Sequence, residues 1–296
     1  MVLLPIFAAI TASAGWAAGS VLAQPPARAL GIFAFTRVQL VACGAILVLL
    51  CAVLGHWSTV AWQYWPHFLV SIVFGTILGN ITMIACLLRA GPRRTELVMT
   101  TRGPAVAVIA FLWLGETVSG IDLTGMLVVV AGIAIAIQHG GNAASDSDRI
   151  SGSLLTFVAL GVASTLCQGL GFLVMKPAMQ AGTEPLVASA IRVAGAAVIV
   201  AAIGLWPARF TRPLSPLTPT LLGQAVLPGV IGYVIASSLL LYAFANTHSG
   251  VASVLGSLSP VLVIFVVWLK EGRAPRPAAF LGAAVAIAGT AIIVLA

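Results

Sequence analysis

Glu96, Arg102, Arg37 and Arg192 sit inside long apolar runs, where a charge is costly and therefore informative. Glu96 can bind a proton or a cationic group. Stepping from it by helical spacing gives Thr100, Gly103 and Ala107, a small and polar stripe that fits a helix face turned toward a cavity or a close neighbour. The alternative is a surface pairing of Glu96 with Arg93, Arg94 or Arg102. Arg102 lies about two turns, or roughly 10 Å of rise, into the same helix and off the face of Glu96. It can hold an anionic group, meet an acceptor on a neighbouring helix, or snorkel.

Neutral polar residues are scattered through the same runs. Trp16 lies near Thr11 and Ser13, Asn80 near Thr82, and Gln168 near Ser164 and Thr165. Tyr233, Ser237, Ser238 and Tyr242 share one run, and Ser253 and Ser257 are four apart with Pro260 nearby. Together they suit the lining of a polar, uncharged pocket. Singly, each serves as well in an interhelical hydrogen bond worth under about 2 kcal/mol.

No energy-coupling or catalytic motif accompanies them. A phosphate-binding loop needs Gly-Lys followed by Ser or Thr, yet the two lysines, Lys176 and Lys270, follow Met175 and Leu269. There is no paired-histidine zinc motif and no Gly-x-Ser-x-Gly elbow. Cys43, Cys51, Cys86 and Cys167 lie in apolar runs without metal spacing and read as small buried hydrophobes. The sequence thus predicts no enzyme, no metal and no cofactor.

The elements that position these residues follow from composition. Of 296 residues, 60% are hydrophobic and only 7% charged, against roughly a quarter in soluble domains. That excludes a soluble enzyme, a disordered chain and a disulfide scaffold, and leaves a multi-spanning membrane protein. The net charge of +7 comes from residues scattered between apolar runs, where they meet lipid headgroups, so no nucleic-acid partner is expected. The run from Met1 to Ala23 ends like a signal peptide but lacks its positive start, the first basic residue being Arg28. It reads as a retained first helix.

Ten stretches are long and apolar enough to span: 3–23, 31–54, 67–88, 95–114, 119–138, 152–174, 185–205, 221–243, 250–269 and 277–295. Pro25-Pro26, Gly91-Pro92 and the Pro207 to Pro219 run mark joints, and a polar joint falls at mid-chain. The halves match. Arg37 precedes Arg192 by 155 residues, and Glu116 precedes Glu271 by 155. Trp113-Leu114-Gly115-Glu116 parallels Trp268-Leu269-Lys270-Glu271, and Pro104 parallels Pro260. Gly125 and Gly132 are seven apart, as are Gly282 and Gly289, while Gln24-Pro25 and Lys176-Pro177 close the first helix of each half. The reading is an all-α integral membrane fold of ten transmembrane helices, with repeats at 1–138 and 152–296 and a linker at 139–151. Five helices per repeat is odd, so the repeats are inverted.

Arg37 and Arg192, being symmetric, suit a structural task such as gripping helix ends or carbonyls. Glu116 and Glu271 end helices, where a carboxylate opposes the dipole, so each calls for a basic side chain or the N-terminus of the next helix as partner. Gly15 with Gly19, and Gly75 with Gly79, allow close helix approach. Trp57, Trp62, Tyr64, Trp65 and Trp206 flank span ends as interfacial anchors.

The early Arg in the second helix, the Pro in the fourth, the Leu114-Gly115-Glu116 ending and the Gly-spaced fifth helix resemble the drug/metabolite transporter superfamily, of the EamA type. The resemblance covers nearly the whole chain, with Lys270 standing where the second copy would usually have Gly. It implies a ten-helix permease of the plasma (cytoplasmic) membrane, often an exporter, with a cavity between the repeats. The expected partners are a small-molecule substrate, the lipid bilayer, and a proton or counter-solute as coupling partner. The other readings are a lipid-linked sugar or phospholipid flippase and a non-transporting scaffold or sensor. Ten Lys and Arg fall in odd-numbered joints and one, Lys176, in even-numbered joints. The positive-inside rule then places both termini outside, whereas the resemblance implies both inside.

Overall fold

The computed structural model describes residues 3–99, 101–139, 153–206, 208–259, 261–263, 266, 268 and 277–295. Thr100, Pro260 and Glu271, Pro207, and the expected linker beyond His139 lie outside the described residues. The described chain is helical, with no strand. The first half holds α1 (Leu3–Leu30), α2 (Ile32–Val53), α3 (Trp65–Val70), α4 (Gly79–Met99), α5 (Arg102–Leu114) and α6 (Gly120–His139). The second holds α7 (Leu154–Leu173), α8 (Lys176–Gln180), α9 (Pro185–Gly204), α10 (Pro219–Gly229), α11 (Ser237–Asn246), α12 (Ser249–Leu255) and α13 (Pro277–Leu295). A π-helical stretch, Ser71–Leu78, joins α3 to α4, and a second, Val230–Ala236, joins α10 to α11. Six continuous helical stretches are long and apolar enough to cross a membrane, and three shorter apolar helices accompany them.

The termini of these helices follow local rules. Thr218 accepts from the Leu221 amide at 3.2 Å and Pro219 opens α10, as a cap and a first-turn proline should. Gly91, at φ 74°, turns the chain between the third span and the fourth ahead of Pro92. Gly115, at φ 66°, closes α5 in the left-handed conformation that glycine adopts without strain.

The halves are joined by like-with-like pairs running antiparallel. α6 packs along α13: Gly132 backs onto Gly282 and Ala286, and Gly289 backs onto Gly125 and Val129. α2 packs along α9, with Gly44 against Ala194 in the middle and Arg37 against Gly204 at the end. Equivalent helices that run antiparallel across a reciprocal contact are what an inverted repeat requires. The first helix of each half crosses into the other. Gly15 and Gly19 of α1 meet Ala236 and Pro228, while Gly75 and Gly79 meet Gly171 and Gln168 of α7.

Three features depart from the sequence reading. Pro25 and Pro26 do not end the first helix; α1 runs through them to Leu30. Its counterpart does end, at Leu173, and Lys176 and Pro177 open the short α8. The fourth span of each half is not one helix. The first breaks between Met99 and Arg102, and the second after Leu255. Trp57 and Tyr64 pack partly against the core, while Trp62, Trp65 and Trp206 are exposed.

A leucine at position 132 would have to displace the α13 backbone, because a Cβ there already meets the Gly282 carbonyl. Gly132→Leu is expected to cost about 1–3 kcal/mol, as overpacking does. Purified protein should then unfold several degrees lower in thermal-stability size-exclusion assays. Gly120→Ala, with open space around it, should not differ from wild type.

Candidate functional site

α5 packs on α12, and a cavity of about 90 Å³ lies beside both breaks, with Met99 and Arg102 lining it at the first and Ser259 just past the second. That volume has room for a few water molecules or a small solute. Its lining draws on both halves: Trp16 and Ser20 of α1, Asn80 and Glu96 of α4, Arg102 of α5, Gln168 and Phe172 of α7, Arg192 of α9, then Tyr233, Ser237 and Ser259. The π-helical stretches add Gly75, Thr76 and Gly232. Such stretches recur at functional sites because they redirect carbonyls and side chains out of the helical register.

The breaks free backbone groups, and side chains from the opposite half take them up. Arg102 Nη2 donates to the Gly256 carbonyl at 2.9 Å. The Ser13 hydroxyl donates to the Leu255 carbonyl at 2.8 Å and accepts from the Leu258 amide at 3.2 Å, so one side chain spans the second break. Ser164 and Gln168 donate to the Gly79 carbonyl at 2.8 and 3.2 Å, where the π-helical stretch ends. Ser71 donates to Gly171, and Asn80 to the Thr36 hydroxyl at 3.1 Å.

The charges of the site are buried. Glu96, 6% exposed, accepts from the Ser259 hydroxyl at 2.6 Å, and Ser20 lies beside it. Arg102 is 4% exposed, its guanidinium 4.7 Å from the centre of the Trp16 ring. Arg192 is 3% exposed, its guanidinium 4.1 Å above Phe172. Trp16 meets Phe172 edge-on at 5.8 Å, so two cations and two rings run in series across the cavity. This is ordinary cation–π geometry, worth about 2 kcal/mol where desolvated.

Of the residues proposed from sequence for the cavity, Trp16, Asn80, Arg102, Gln168, Tyr233 and Ser237 are brought together, as is Glu96. Tyr242 is not: its carbonyl accepts from Asn246. Ser253 and Ser257 are not among the cavity lining: Ser257, in the second break, donates back to the Ser253 carbonyl of α12 at 2.7 Å. Gly103 and Ala107 face a neighbour, meeting Val254 and Gly250 of α12. Arg102, expected off the face of Glu96, lines the same cavity because the break resets the helical register. Pro104 is exposed.

Arg37 and Arg192, paired in sequence, part in space. Arg37 Nη1 donates to the Gly204 carbonyl at 3.3 Å, at the C-terminus of α9. Arg192 grips no helix end and faces the cavity instead. Sequence reasoning also missed Phe172 and Ser259. Their signal was weak, an aromatic and a serine within apolar runs, though Ser259 stands beside the second break.

At one end of the bundle, Glu116 joins the halves. Lys176 Nζ lies 2.7 Å from its carboxylate, and the Ser249 amide and hydroxyl donate to it at 2.7 and 2.9 Å. Lys176 is the basic side chain expected from sequence, while the helix N-terminus that meets Glu116 is that of α12 in the other half and not that of α6, the next helix in the chain. Lys176 donates also to the Thr247 carbonyl at 2.8 Å.

Inverted five-helix repeats, a broken span in each and a cavity lined from both halves describe a multi-pass membrane protein. The sequence profile described as the EamA-like transporter family matches residues 3–138 and 155–295. The chain belongs to that family. No curated protein matches it. A solved crystal structure superposes with a TM-score of 0.76 at 18% identity, covering 98% of this chain and 96% of that one, a likeness of fold.

Burial alone would raise the Glu116 carboxyl, but Lys176 and the Ser249 amide outweigh it and hold it below its ordinary value of 4.5. A depressed carboxylate contributes stability that is complete above its unfolded value and lost as pH falls through the folded one. Wild-type thermal stability should therefore drop on acidification below about pH 4.5, and Glu116→Gln should flatten that drop. At neutral pH the variant should be less stable by about 1–3 kcal/mol, read in thermal melts.

Proposed function

We propose that this protein is a secondary-active or facilitative carrier. It would move a small polar or amphipathic metabolite by alternating access, in the direction of export, across the cytoplasmic membrane. The observation that carries the reading is the placement of the cavity. Both halves line it, beside the breaks in their fourth spans, and inverted-repeat carriers hold substrate at the interface of their repeats beside broken helices. The direction and the membrane rest on the family resemblance. The two family matches, 3–138 and 155–295, support the same picture, each containing one broken span. We assign no catalytic step to the chain.

Glu96 is the coupling residue in this reading. Its neighbours are Ser20 of α1, Arg102 of α5 and Ser259 beyond the second break, so a proton or a cationic substrate group arriving there alters a contact between the halves. The flippase reading asks Arg102 to face a headgroup. Its Nη2 is engaged by Gly256 and its guanidinium by Trp16, which favours a small solute within the cavity.

Reconstituted in liposomes, the protein should exchange members of a metabolite panel in counterflow and respond to an imposed pH gradient. Glu96→Gln should retain counterflow and lose at least about ten-fold of the gradient-driven rate, about 1.4 kcal/mol in the barrier. A pH response unchanged by the substitution removes the coupling role. Failure to move any solute under any ion gradient removes the carrier reading.

A further inference from the structure

We infer that the solute held in this cavity carries a carboxylate and that Arg192 receives it; the assignment rests on the carrier reading above. Arg192 is buried, lines the cavity and lies with its guanidinium over Phe172. Its Nε and Nη1 have no hydrogen-bond partner among the described residues. Arg102 also has an unpartnered Nε, but its Nη2 donates to the Gly256 carbonyl and it shares the electrostatic field of Glu96. Among the described residues Glu96 is the carboxylate that lines the cavity, and its charged neighbour there is Arg102. With Glu96 ionised, the lining keeps one net positive charge, and Arg192 is where that charge lacks a counterpart.

A buried cation with free N–H groups is costly until an acceptor arrives. The Phe172 face attracts the cation but offers no acceptor in the guanidinium plane. A carboxylate does, as a planar two-oxygen group that matches the guanidinium fork. Trp16 and Phe172 supply an apolar wall beside it for the remainder of the solute. A dry cavity of about 150 Å³ takes a benzene. A volume of about 90 Å³ makes small acids the suitable first probes.

The test uses the full-length protein in detergent and in liposomes. Acetate, propionate and lactate are compared with acetamide, propionamide and lactamide at equal ionic strength. The acids should raise the wild-type melting temperature and the amides should not. Arg192→Gln should erase that difference, and Arg192→Lys, which keeps the charge without the fork, should shrink it. Labelled-lactate counterflow should fall at least ten-fold in Arg192→Gln. Equal effects of acids and amides on wild type overturn the assignment, whether or not the variant folds. So does an acid–amide difference that survives in Arg192→Gln or is undiminished in Arg192→Lys, since a purely structural arginine lowers stability alike in every solution. Liposomes that exchange amides as fast as acids leave the carrier reading standing and remove the carboxylate. Acid-specific stabilisation without flux supports the carboxylate site and removes the carrier reading.

Discussion

Lipid offers no hydrogen bonds, so a transmembrane helix can be interrupted only where protein supplies the missing partners. In this chain both interruptions fall in the fourth span of their half, and the partners come across the boundary between halves. Ser13, from the first helix, closes the gap between Leu255 and Leu258. Arg102, at the start of α5, holds the Gly256 carbonyl. The breaks are stable because the halves interlock, and the halves leave a cavity because the broken ends do not fill the centre as continuous helices would. Glycine permits the interlocking. Gly75 against Gly171, and Gly132 against Gly282 and Ala286, bring backbones closer than any side chain would allow.

Duplication gives the frame, and divergence within it gives the site its polarity. The second helices each carry an arginine, yet one caps α9 while the other lies over Phe172. Glu96 faces the first break, and the residue 156 places on is Ala252, buried in α12. Lys176 of the second half grips Glu116, whereas Gln24, its sequence counterpart, sits within a helix that continues to Leu30. A symmetric pair of charged sites would leave the cavity without direction. Here each half contributes one guanidinium to the cavity, Arg102 and Arg192, and the first alone contributes a carboxylate, Glu96, so the two sides of the cavity differ in charge.

The spans, the duplication and the inversion were legible in the sequence because they depend on composition and spacing. Apolar runs of about 20 residues declare themselves, and landmarks 155 residues apart declare a repeat. Part of the cavity lining was legible for a related reason, a polar residue in an apolar run being rare and having to face protein: Trp16, Asn80, Glu96, Arg102, Gln168, Tyr233 and Ser237 stood out, whereas Ser20, Gln39, Thr76 and the glycine and apolar lining did not. The breaks were not. Their local marks, Gly103-Pro104 and Gly256-Ser257, are residues that membrane helices also tolerate intact, and only the tertiary partners decide. Once a break is missed, helical stepping fails across it, which is why Arg102 was placed away from Glu96. Ser253 and Ser257 do not line the cavity, and the Ser257 hydroxyl, in the second break, donates back to the Ser253 carbonyl at the end of α12. Pro25 and Pro26 read as a stop, but a membrane helix can carry proline where neighbours re-satisfy its backbone, and α1 does so.

The contacts between the halves differ in what it costs to part them. Along α6 and α13, and between Gly75 and Gly171, the contact is backbone on backbone with no water able to enter, so separation forfeits packing with no compensation. Glu116, Lys176 and Ser249 form a polar contact at one end of the bundle, and water can replace each of its hydrogen bonds once the end opens. A carrier of two rigid halves has to open at one end while staying sealed at the other. In the alternating-access carrier proposed above, the glycine seams would be the fixed line about which the halves turn, and the Glu116 cluster the contact made and broken at its end. The net free energy of that cluster is small because its groups are hydrated when apart. A contact that held much more strongly would trap the bundle in one state, since a solute can shift the equilibrium only by its own difference in affinity between the two.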